Sequence, residues 1–177
     1  VVEAQSGGSL CVYGTIVVDN CNFTDNHART GGAIESWKTG IVEDSNLNNN
    51  AARFSGGAIY SNDDVKINDC NFTGNYAIEY AGGAVYIFGF GEFNNINFAD
   101  NSASSYGGAI YFNMGGTIDQ STFTNNNDED GGAILTKENL TISDSGFVGN
   151  GENCIDVKSG AKLTLNNVSS DNPLVSD

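Results

Sequence analysis

Basic side chains are scarce: seven Lys and Arg stand against 22 Asp and Glu, a formal charge of −15. Nucleic acid and anionic membranes are recognised by clustered cations, so neither is an expected partner. No apolar run approaches the roughly 20 residues of a membrane helix, so no membrane insertion of this segment is expected. Nothing resembling a signal peptide opens the chain. A start at Val1 rather than Met leads to the expectation of a processed product or an excised segment. Histidine occurs once, at His27, with no Ser or Cys partner at a recognisable spacing, which argues against a nucleophilic triad. GxGxxG and GxxxxGK[ST] are both absent, so the glycines are not read as a phosphate loop.

Glycine, by contrast, occurs 23 times, asparagine is abundant and proline occurs once, a composition that by itself suggests low complexity. Ten Phe and seven Tyr argue otherwise, because they recur at regular intervals, which disorder does not require. Glycine pairs or their degenerate equivalent begin at Gly7, Gly31, Gly56, Gly82, Gly107, Gly131 and Glu152, at intervals of 24, 25, 26, 25, 24 and 21 residues. Three positions past each start lie Leu10, Ile34, Ile59, Val85, Ile110, Ile134 and Ile155, and eleven past it Val18, Val42, Ile67, Phe93, Ile118, Ile142 and Leu163. Sixteen past it lie Phe23, Leu47, Phe72, Phe98, Phe123, Phe147 and Val168. The variation in length therefore falls between the Phe and the next glycine pair, which reads as a loop. Period-two alternation and the lack of an amphipathic helix point to short strands. A unit this small cannot bury its own apolar face, so stacked units must share a core. The expected fold is all-β: a right-handed parallel β-helix of about seven coils in a single domain over 1–177.

Nineteen positions past each start lie Asn26, Asn50, Asn75, Asn101, Asn126 and Asn150, followed by Asp171. Asn tolerates the left-handed backbone region, and amides stacked once per coil can bond along the rod, so the row is expected to be a structural ladder.

"GGAI" paired with "FxxN" resembles the repeat of chlamydial polymorphic outer-membrane proteins. The fuller pattern "INDCNFTGNYA…GGAIY" is similar to adhesin-like surface proteins of methanogenic archaea. The resemblance runs over residues 6–171. It implies secretion or cell-surface display, and adhesion, within a larger protein. The last coil departs from the pattern, with Glu152 and Asn153 in place of the glycines.

Several residues are candidates for more than building the rod. Four and six positions past the start lie Tyr60, Tyr86 and Tyr111, and Tyr13, Trp37 and Phe88. If positions three and five point inward, these aromatics share an outer face that could stack sugar rings or cover a partner protein; the alternatives are that cross-rung stacking stabilises the sheet, or that a loop or tail covers it. Asn22, Asn71, Asn139 and Asn167 head Asn-x-Ser/Thr triplets and are glycosylation candidates. Asp128, Glu129 and Asp130 form the densest acidic run, a weak Ca²⁺ candidate lacking EF-hand spacing; no other cofactor is expected. Arg29 and Arg53 share a loop position and are the basic residues a polysaccharide lyase or hydrolase would need. Cys11, Cys21, Cys70 and Cys154 read as packed thiols, with Cys11 and Cys21 the one pair placed for an internal bridge.

The expectation is a non-enzymatic extracellular or cell-surface module for adhesion or display, with a surface glycan or protein receptor as partner. The alternative is a structural subunit assembling end to end with copies of itself into a filament or layer, through the unpaired strand edges of its terminal coils. A polysaccharide lyase or hydrolase comes third.

Overall fold

Each coil lays its strands directly on those of the coil before, which is why the motifs recur in phase. The computed structural model describes residues 5–129 and 132–175, and contains no helix among them. The chain winds as a parallel β-solenoid. A first sheet stacks seven strands from Leu10–Val12 to Ile155–Val157, a second seven from Ile16–Asp19 to Leu163–Asn166, and a third seven from Asn22–Thr24 to Ser169–Ser170. A fourth sheet holds four strands, His27–Thr30, Ala51–Ser55, Tyr76–Ala77 and Ser102–Ala103.

The period-two pattern places one side chain of each pair inside. Ile34, Ile59, Val85 and Ile110 from the first sheet meet Val42, Ile67, Phe93 and Ile118 from the second and Leu47, Phe72, Phe98 and Phe123 from the third in one continuous core. Because pairing is in register, the third sheet stacks Phe72, Phe98, Phe123 and Phe147 with ring centroids 5.0, 4.9 and 4.6 Å apart, close to the spacing of the strands themselves.

Two rows of left-handed residues turn the corners. Asn20, Asp44, Asp69, Asn95, Gln120 and Asp144 lie between the second and third sheets, and Asp25, Asn49, Gly74, Asp100, Asn125 and Gly149 follow the third. Nearly all are Asn, Asp or Gly, the residues that take positive φ at least cost. The second glycine of a pair has a different reason: a Cβ at Gly57 would lie 1.9 Å from the Gly83 carbonyl oxygen of the next coil.

The last coil corrects the spacing read from sequence. Leu163 pairs with Leu140 and Leu165 with Ile142, while Ser170 rather than Val168 pairs with Phe147. The turn between Val157 and Leu163, with Gly160 at φ +94°, holds two residues more than the turn between Thr136 and Leu140. Everything after it slips by two: Asn167, at φ 53°, takes the corner role of Asp144. Gly131, one of the coil starts, lies outside the described residues.

Candidate functional site

The row at position six is set by backbone bonds from each coil to the previous one. Trp37 N donates to Val12 O, Asn62 N to Ser36 O, Phe88 N to Ser61 O and Asn113 N to Ile87 O. Three aromatics of this row face solvent: Tyr13 is 74 % exposed, Trp37 45 % and Phe88 43 %. Tyr13 and Trp37 stack on one another, centroids 5.7 Å apart. Phe90 and Met114 add exposed apolar surface near this edge.

The row at position four is different, and the expectation of one shared solvent-facing strip is corrected there. Tyr60, Tyr86 and Tyr111 stack with centroids 4.9 and 4.7 Å apart and planes within 6° of parallel. Yet Tyr86 is 6 % exposed and Tyr111 1 %. Segments that end just before the glycine pairs at Gly82 and Gly107 fold back over them: Tyr80 lies 6.5 Å from Tyr86 and 6.2 Å from Tyr111, and Tyr106 meets Tyr80 edge-on at 5.9 Å. Tyr86 and Tyr111 with Ala81 and Leu135 form a second, smaller apolar cluster outside the solenoid wall, with Tyr60 and Tyr106 packed against it. Lys137 Nζ sits over Tyr111 at 5.3 Å. Burial raises the pKa of all three stacked tyrosines; neighbouring Glu35 adds to this at Tyr60, and neighbouring tyrosines at Tyr86 and Tyr111. The sequence signal for the cover is a tyrosine shortly before the glycines, in "YAGG" and "YGG".

The asparagine row is a hydrogen-bonded column. Asn75 Oδ1 accepts the Asn50 backbone N–H (2.9 Å) and side-chain N–H (3.0 Å), and Asn75 Nδ2 donates to Leu47 O (2.8 Å) and Asn101 Oδ1 (2.9 Å). The same set joins Asn26 to Asn50, Asn101 to Asn126 and Asn126 to Asn150. Asn50, Asn75, Asn101, Asn126 and Asn150 are fully buried. Asp171 is not part of the column, because the two-residue slip places it against Gly149, whose N–H it accepts.

Of the acidic run, Asp128 is nearly buried and braces the backbone: its carboxylate accepts the N–H of Gly107 (2.7 Å) and of Gly132 (2.9 Å). Glu129 is exposed, and Asp130 lies outside the described residues. Among the described residues no three His, Cys, Asp or Glu side chains gather as a metal site would require.

His27 Nδ1 bonds the Asp25 carbonyl (3.0 Å), and Arg29 and Arg53 both pack on the Phe54 ring, at 5.2 and 5.3 Å. Arg53 also pairs with Glu79 at 2.8 Å. Asn22, Asn71, Asn139 and Asn167 are all exposed. Asn22 and Asn71 belong to a second, outer amide row through Asn46, whereas Asn167 donates to Asp144 from a corner. All four cysteines are free, so the Cys11 to Cys21 bridge is not formed. Cys21 and Cys70 share an inner row with Ser45, Ile96, Ser121 and Ser145 at the same corner. Cys70 Sγ donates to Asn68 O (3.0 Å) as Ser45 Oγ does to Glu43 O, so the thiol stands in for a serine.

Residues 95–113 and 120–137 match the family model of the Chlamydia polymorphic membrane protein repeat. Each match runs from the residues before the core Phe, through Asn101 or Asn126, to the glycine pair and the first-sheet strand. No curated protein and no solved structure matches the chain. The chain is a β-helix repeat protein, and the unit it repeats is similar to the Chlamydia polymorphic membrane protein repeat.

Proposed function

We propose that this chain is a non-enzymatic module displayed at the cell surface, where its rod presents an edge of exposed aromatics for adhesion. The display part of this reading is supported by the likeness to a repeat of Chlamydia membrane proteins. The adhesive part is carried by one observation: Tyr13, Trp37 and Phe88 stand exposed in one row of an acidic rod. Exposed rings in a row offer large apolar area at little entropic cost, as partner-binding surfaces do.

The non-enzymatic part is supported by where the chemically capable residues lie. His27 is turned to its own backbone, and both arginines are stacked on Phe54. Attachment of the purified chain to host or neighbouring cells, compared with a Tyr13→Ala, Trp37→Ala, Phe88→Ala variant of unchanged circular dichroism, tests the reading. Loss of attachment in the variant is expected; equal attachment would remove this edge from the account. A polysaccharide screen with and without Ca²⁺ is expected to yield no cleavage.

A further inference from the structure

Along the second sheet, beside the aromatic edge, two outward rows run up the rod. One contains Thr39, Asp64 and Phe90, the other Ile41, Lys66 and Glu92, and between them lies a groove of about 260 Å³ spanning three coils. Gly40 and Val65 turn their side-chain positions into the core and give its floor only backbone, so the apolar part of the lining comes from Ile41 and Phe90, while Asp64, Lys66 and Glu92 bring charge to the rims. Phe90, 38 % exposed, forms an aromatic wall. Asp64 fixes that wall, because its Oδ1 accepts the Phe90 backbone N–H at 2.7 Å while Phe90 O accepts the Val65 N–H at 3.0 Å.

Lys66 and Glu92 are register partners on adjacent coils, yet form no ion pair. Both are solvent-exposed, so their polar heads are accessible at the rim. One aliphatic and one aromatic side chain with a few polar groups at the rim are the usual make-up of a small-molecule site. The net charge of −15 disfavours an anionic occupant. A saturated ring in a chair, with C–H bonds on one face and hydroxyls at its rim, satisfies these features.

We propose that this groove binds one uncharged pyranose ring of a glycan, its C–H face on Phe90 and its hydroxyls bonded by Lys66 and Glu92. The assignment rests on the adhesion reading and names its ligand class. Trp37, two residues before Thr39 on the same coil, and Tyr13 stacked on it continue apolar surface toward the first coil, where further sugar units of the chain would lie.

The test is titration of the intact chain with neutral oligosaccharides ending in glucose, galactose, mannose or N-acetylglucosamine, alongside sialylated and sulfated glycans. At least one neutral sugar is expected to bind, with little dependence on salt. Phe90→Ala should weaken it by about tenfold, Phe90→Tyr should retain it, and Lys66→Ala should weaken it less. Both Phe90 bonds above are backbone bonds, which alanine keeps. Tyr76→Ala, away from the groove on the fourth sheet, should change nothing. Absence of neutral-sugar binding, preference for the anionic glycans, or equal binding by Phe90→Ala would overturn the assignment. Attachment to cells separates the two readings: attachment that survives enzymatic removal of the cells' glycans means a protein partner and overturns the glycan alone, whereas no attachment by the unmodified chain removes adhesion itself.

Discussion

Asn75 condenses the logic of the chain at the scale of a residue. Removing its amide leaves the buried Asn50 backbone N–H without its acceptor and takes a donor from the Leu47 carbonyl and from Asn101 Oδ1. Because unsatisfied buried groups lose their full hydration, Asn75→Ala should cost about 2–4 kcal/mol in urea unfolding, while Asn71→Ala in the exposed outer row should stay within about 0.5 kcal/mol. Titration separates buried from exposed groups as well. Burial pushes the Cys70 thiol from 9.0 up to about 11, and raises Tyr86 and Tyr111 above 10.0. These are acids whose folded pKa is raised, so the unfolded chain releases their protons first and binds fewer of them as pH climbs. Stability should therefore fall between about pH 9 and 11 through Cys70, and from about pH 10 upward through Tyr86 and Tyr111, whose share of the phenolate absorbance should appear only with unfolding. Tyr86→Phe with Tyr111→Phe should flatten that fall above pH 10, leaving the Cys70 part. Below pH 8, a thiol reagent should label Cys11 in the folded protein, and Cys70 and Cys154 only after denaturation.

The glycine pairs and the phenylalanine stack act at the scale of the element, through contact between adjacent coils. Gly57→Ala drives a methyl into the Gly83 carbonyl and should lose several kcal/mol or the fold itself, whereas Gly14, with open space around a built Cβ, should accept alanine within about 0.5 kcal/mol. Phe98→Ala opens a cavity between two stacked rings and should cost about 3–5 kcal/mol by the same unfolding measurement. These elements were legible in the sequence because their spacing is invariant through the first six coils. The tyrosine cover was legible only as an alternative, since outward-pointing and solvent-exposed are the same statement only for a bare sheet. Tyr80 and Tyr106 come from segments of varying length, and their place just before the glycines is a signal at two coils only. The shifted last coil escaped for a related reason: Val168 and Leu163 are apolar residues at the expected distances, and only backbone pairing reveals that Ser170 stands opposite Phe147.

For the whole molecule, each coil rests only on its neighbours, so stability should behave as a sum over coils and their junctions. Excision of one complete coil, residues 82–106, joins Ala81 to Gly107, and those positions already match through the Ala81 to Tyr106 bridge. The shortened chain should fold with unchanged strand signature in circular dichroism and a lower unfolding midpoint, whereas removing half a coil should abolish folding, because it brings inward residues against outward ones. The sequence by itself determined the solenoid, its core rows and its asparagine column, since all of these follow from one period repeated in register. Tertiary structure alone decided which outer aromatics meet solvent and where a groove opens on the second sheet. Those depend on side chains reaching across coils from segments whose lengths differ, and a repeat carries no record of them.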